Sequence, residues 1–152
     1  SGGFYINNEG QVVGASAINT TSNPPTHPFL WENGVMLDLG TLGGPDAFPG
    51  NGCANQRKGL VVEGSNTSST PDPATGLFPN HPFLWENGPM IDLGSLGGNG
   101  AAVCANNRGQ VIGGSSLADN PGACSEEIGG PGCHAFLTNP TRRAIGAFWQ
   151  TS

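Results

Sequence analysis

The sequence is poor in charge. Only 11% of its 152 residues are Asp, Glu, Lys or Arg, and Lys58 is the sole lysine. Alanine, leucine, glutamate and lysine nowhere build a stripe at helical spacing, which excludes a helix bundle or a coiled coil. There is no basic patch: five basic residues stand against eleven acidic ones, for a net charge of −6. That balance argues against nucleic acid as a partner and against an anionic membrane surface. No apolar run approaches the length of a membrane span, so insertion is not expected. The opening residues do not read as a signal peptide, and Ser1-Gly2-Gly3 is expected to be the start of a mature, trimmed or excised chain. An Asp-x-Asp-x-Asp-Gly calcium loop is missing, and so is a Gly-x-Ser-x-Gly elbow.

What is abundant is glycine (26) and proline (13), about a quarter of the chain. Without a period, that share suggests low complexity; with one, it suggests many short strands joined by turns. A period is present. The stretch from His27 to Gly44 returns at His81 to Gly98, and the two differ only at Val35/Pro89, Leu37/Ile91 and Thr41/Ser95. A third, decayed copy begins at His134-Ala135-Phe136-Leu137. Between these runs a second motif, Asn8-Glu9-Gly10-Gln11-Val12-Val13-Gly14-Ala15-Ser16, matched by Asn107 to Ser115. The copy from Arg57 to Ser65 is looser, with Glu63 standing where the others have Gly14 and Gly113.

These repeats define three units, 1–44, 45–98 and 99–152, each read as four short strands. Asn33-Gly34 and Asn87-Gly88 predict tight hairpins whose two turn residues both take positive φ. Alternation sends Phe29 and Trp31 to one face of the sheet and Leu30 to the other, so both faces are partly apolar. Sheets covered on both faces, at about 50 residues per four strands, describe propeller blades packed face to face. Stacked solenoid rungs are the runner-up, although solenoid repeats are usually shorter.

The alternation of His-Pro-Phe-Leu-Trp-Glu-Asn-Gly and Asp-Leu-Gly-Thr-Leu-Gly-Gly with Asn-x-x-Gly-Gln-Val-Val-Gly-x-Ser resembles the HAF-repeat family of probable extracellular bacterial proteins. The family name comes from the tripeptide seen here as His134-Ala135-Phe136. The resemblance covers all three units and implies secretion or surface display and a propeller-like β fold, without a defined activity. Unit two departs from the pattern at Glu63, and unit three replaces the Trp-Glu-Asn-Gly hairpin with Thr138 to Arg143. Three blades do not close a ring. An open arc leaves edges and apolar faces that invite association, as a ring-closing dimer, as a fibre, or as part of a longer array.

Four cysteines suit an oxidising setting. Cys124 and Cys133 bracket a short loop and are expected to pair; Cys53 and Cys104 occupy matching repeat positions, either bridging neighbouring units or lying as small buried residues. The repeated His27, His81 and His134 are either metal ligands around an axis or strand-start residues bonding a loop carbonyl. Trp31 and Trp85 either stack on sugar rings or pack between blades, and Trp149 lies near the end of unit three. Asp38 and Asp92, two residues before a glycine, fit backbone caps better than calcium ligands. The repeated Glu32 and Glu86 suit a solvated hairpin flank. The unrepeated acids Glu63, Glu126 and Glu127 are read as solvated acidic loop tips, and are the candidates for catalysis if there is any. No cofactor is expected.

The resulting expectation is an all-β, propeller-like repeat protein acting as a non-catalytic interaction module for carbohydrate or protein. Its loops at 17–26, 66–80 and 116–133 would carry specificity. A self-assembling structural subunit and a polysaccharide-active enzyme are the alternatives.

Overall fold

The computed structural model describes residues 1–49, 59–124, 131–138 and, as backbone, 145–147. Cys53, Glu126, Glu127 and Trp149 lie outside the described residues. The described chain is all-β, and none of it forms a helix. Twelve strands make three four-stranded antiparallel sheets, each a simple meander in chain order. The first holds β1 (Gly2–Ile6), β2 (Val12–Ala17), β3 (Thr26–Glu32) and β4 (Val35–Asp38). The second holds β5 (Ala47–Pro49), β6 (Leu60–Asn66), β7 (Asn80–Glu86) and β8 (Ile91–Asp92). The third holds β9 (Gly97–Ala105), β10 (Val111–Leu117), β11 (Cys133–Thr138) and β12 (Ile145–Ala147).

Local chemistry sets the turns. The β3–β4 hairpin has both turn residues at positive φ, Asn33 at 51° and Gly34 at 84°, the geometry that matches strand twist. The β7–β8 hairpin departs from expectation. Asn87 keeps positive φ at 49°, but Gly88 does not. The physical reason is Pro89, which restricts the residue before it to extended conformations and brings no N–H to the ladder. Strand β8 accordingly shrinks to two residues. The β1–β2 turn is built on Asn7, whose Oδ1 accepts the N–H groups of Glu9 and Gln11, both at 3.0 Å. Asn106 does the same for Arg108 and Gln110 at the β9–β10 turn.

The three sheets pack in sequence through two apolar clusters. Val13, Leu30 and Leu39 of the first unit meet Ala47, Val61, Phe83 and Trp85 of the second. Leu60, Val62, Leu84 and Leu93 of the second unit meet Ala102, Ala105, Val111 and Phe136 of the third. Strand alternation explains the division: Val61 points to one neighbour, and Leu60 and Val62 to the other. The face carrying Phe29, Phe83 or Phe136 is called here the leading face, and the one carrying Leu30, Leu84 or Leu137 the trailing face. Each interior contact seats a trailing face on the next leading face. Phe83, with no exposed surface, contributes roughly 2–3 kcal/mol by burial alone.

Gly14 and Gly113 each lie directly opposite a phenylalanine, Phe29 and Phe136. A Cβ at Gly14 would sit 2.6 Å from the Phe29 ring, and one at Gly113 2.7 Å from the Phe136 ring. Glu63 faces Phe83 at the same position of the second sheet. Phe83 therefore cannot lie over its partner strand as the other two rings do.

Candidate functional site

The repeated histidines and aspartates belong to struts within a sheet. His27 Nδ1 contacts both carboxylate oxygens of Asp38, at 2.9 and 3.0 Å. His81 Nδ1 contacts both oxygens of Asp92, each at 3.0 Å. Each carboxylate also caps the following turn, accepting the N–H of Gly40 at 2.8 Å or of Gly94 at 2.7 Å. The spacing follows from register: Asp38 is the partner of Phe29, so His27 projects from the same face one pair further on. The histidine partner is thus a carboxylate, where sequence reasoning offered a metal or a loop carbonyl. His134, second in β11, lies opposite Ser115, as His27 faces Ser16 and His81 faces Ser65. No aspartate follows it in 135–152. Among the described residues, no group of three or more His, Cys, Asp or Glu could hold a metal ion.

The meander places the β2–β3, β6–β7 and β10–β11 loops at one end of their sheets, and short bonds close each loop at its base. Ile18 N–H donates to Pro25 O at 3.0 Å, and Thr67 N–H to Pro79 O at 2.9 Å. The third loop is closed by the Cys124–Cys133 disulfide and by Cys124 N–H donating to Ser116 Oγ at 2.8 Å. Cys104 is also disulfide-bonded.

Two residues unnoticed in the sequence clip neighbouring loops together. Asp46 Oδ1 accepts the N–H of Thr26 at 2.8 Å, and its backbone carbonyl accepts the N–H of Asn66 at 2.8 Å. Asn99 Oδ1 accepts the N–H of Asn80 at 3.0 Å, and its own N–H donates to Pro121 O at 2.8 Å. Loops one and two are joined by the first clip, loops two and three by the second. Asn99→Ala would leave the Asn80 N–H without its acceptor, at a cost of about 1–3 kcal/mol. Thermal unfolding should show a melting temperature lowered by several degrees; no change would mean that the clip carries no stability.

The two equivalent tryptophans sit in different surroundings. Trp85 is 4% exposed and packs between the first and second sheets, whereas Trp31 is 37% exposed on the leading face of the first. Beside Trp31, Ser16, Ile18, His27, Phe29, Met36 and Asp38 line a cavity of about 250 Å³. At the corresponding place in the second unit Ser65 Oγ accepts the N–H of Leu42 at 2.8 Å, and in the third Ser115 Oγ accepts that of Leu96 at 2.9 Å. Ser16 Oγ instead meets Ser1 Oγ at 2.6 Å.

Glu63 is the unusual acid: it lies within β6 with a buried carboxylate oxygen, not at a solvated loop tip as the sequence suggested, because strand pairing carries it into the sheet. Its Oε2 is buried without a hydrogen-bond partner among the described residues. Strand alternation turns it toward the first sheet, on the face shared with Val61. Burial pushes its carboxyl up to about 8. Burial also raises the Tyr5 phenol, with a further push from Glu63. Glu32 is exposed at its hairpin, as expected, and so is Glu86. No described helix is long and apolar enough to cross a membrane.

Comparison with family models gives no match, and searches of curated proteins and of solved structures also find none.

Proposed function

We propose that this chain is an extracellular, non-catalytic interaction module of propeller-like blade units, of the HAF-repeat kind. Its ligand, a carbohydrate or a protein surface, meets the rim formed by the loops 17–26, 66–80 and 116–133. One observation carries the reading. Several of the side chains repeated between units are engaged within the fold: His27 with Asp38, His81 with Asp92, Ser65 with Leu42 and Ser115 with Leu96. What differs between units is the loops, and Asp46 and Asn99 clip these side by side. A rigid frame presenting variable loops is the common plan of recognition surfaces. The disulfides fit an oxidising compartment.

The test is excision of residues 69–76 from the second loop, with a short glycine linker in their place, followed by glycan-array and protein-panel binding. The shortened protein should keep its melting temperature within a few degrees and lose at least about tenfold in affinity, 1.4 kcal/mol. Binding that survives the excision at full strength would move the site off the rim.

A further inference from the structure

The two end faces of the described sheets are counterparts of the faces joined inside the molecule. On the leading face of the first sheet, Met36 is 52% exposed and Trp31 37%, while the equivalent Trp85 is covered by a trailing face. On the trailing face of the third sheet, Ile112 is 46% exposed, while its equivalent Val62 is 2% exposed under a leading face. Val103 and Ile6 enlarge these two patches, at 37% and 72% exposed. Each end thus presents the apolar half of a contact that the chain already makes twice. Residues of the complementary half are carried at its other end.

We propose that a second copy of this chain docks head to tail, the trailing face of its third sheet seated on the leading face of the first. The inference rests on the blade-like reading of the units and names the partner of that surface. Its warrant is continuity with the interior contacts: Leu30 shares a cluster with Phe83, Trp85 and Met90, and Leu84 one with Phe136, so Leu137 and Ile112 of one copy match the exposed Trp31 and Met36 of another. Such a contact joins two different surfaces. It therefore closes into a ring when the rotation between copies allows, and otherwise runs on as a filament. Each copy carries a net charge of −6, so the apolar faces have to overcome mutual repulsion, and screening by salt favours the contact.

The test uses Met36→Glu and Ile112→Glu, both at exposed positions where a charge is tolerated in the free chain and penalised under a partner. Mass is read by light scattering on a size-exclusion column, at two protein concentrations and physiological salt. The unsubstituted chain should run at twice 15.4 kDa or more, with the larger mass favoured at the higher concentration. Each variant alone should be a monomer, because every copy lacks the same face. An equimolar mixture should restore a one-to-one dimer, because each variant keeps the face that the other lacks. A monomeric unsubstituted chain overturns the proposal, and so does a mixture that stays monomeric or a variant that associates unchanged. Trp85→Ala, inside the molecule, separates the two failures. If it lowers the melting temperature while the unsubstituted chain stays monomeric, the docking is wrong and the packing of units stands. If it leaves the melting temperature unchanged, the blade-like reading itself fails.

Discussion

Trp85→Ala is expected to cost about 3–5 kcal/mol, and Trp31→Ala about 1 kcal/mol, in dilute protein by chemical denaturation. The two tryptophans share the same local sequence, His-Pro-Phe-Leu-Trp-Glu-Asn-Gly, and equivalent places on their strands. Strand propensity and hairpin chemistry are therefore matched, and the difference reads tertiary packing alone. Trp85 fills the space between the first and second sheets with Val13, Leu30, Leu39 and Phe83. Truncation leaves a cavity there that the neighbouring strands cannot collapse without breaking register. Trp31 loses only the cover of its own sheet. Equal costs for the two substitutions would contradict the packing described here.

A second large effect is expected at Glu63, and it depends on pH. The carboxyl is raised from an ordinary 4.5 to about 8 by burial. Below 4.5 the group is protonated in both folded and unfolded chains, and it imposes no ionisation penalty. As pH rises from 4.5 toward 8, the unfolded chain releases its proton while the folded chain keeps it, so stability is lost progressively. Above 8 both states are ionised and the loss levels off. The lost stability should total on the order of 3 kcal/mol, after allowance for the partial exposure of the group. Glu63→Gln keeps the shape of the side chain and removes the ionisation. Its stability relative to the unsubstituted chain should rise steadily between pH 4.5 and pH 8 and then stay level. Parallel pH profiles for the two proteins would show that the carboxyl ionises as freely in the fold as outside it.

Much of the architecture was legible because the sequence repeats itself. The near-identity of 27–44 and 81–98 marks two equivalent units, and Asn33-Gly34 fixes a hairpin whose geometry few other residue pairs allow. The alternation of Phe29 and Trp31 with Leu30 announces sheets with two apolar faces. Which of these faces is covered was not legible, since Trp31 and Trp85 are indistinguishable until a neighbouring sheet is placed over one of them. Asn7 and Asn106 open the Asn-x-x-Gly-Gln pattern, but their role in capping the turn was not drawn from it. A signal was there, in the shared Asn-Asn-x-Gly-Gln. Asp46 and Asn99 were missed for a different reason. Their partners Thr26 and Asn80 lie 20 and 19 residues away in the chain, and the two clips use different residue types. The surroundings of Glu63 were equally out of reach, because alternation assigns it a face but cannot say how dry that face is.

The division of Val61 from Leu60 and Val62 bears on how the molecule opens. The second sheet belongs to both apolar clusters, and each outer sheet belongs to one. In such a row of nearest neighbours, detaching an outer sheet severs a single contact, whereas opening the middle one severs two. Thermal fluctuations therefore enter from the ends, and β6 and β7 are the last strands to surrender their amide protons to solvent. A chain ordered in this way has a kinetic centre as well as a structural one, and a partner covering either end would slow the whole sequence of openings from that side.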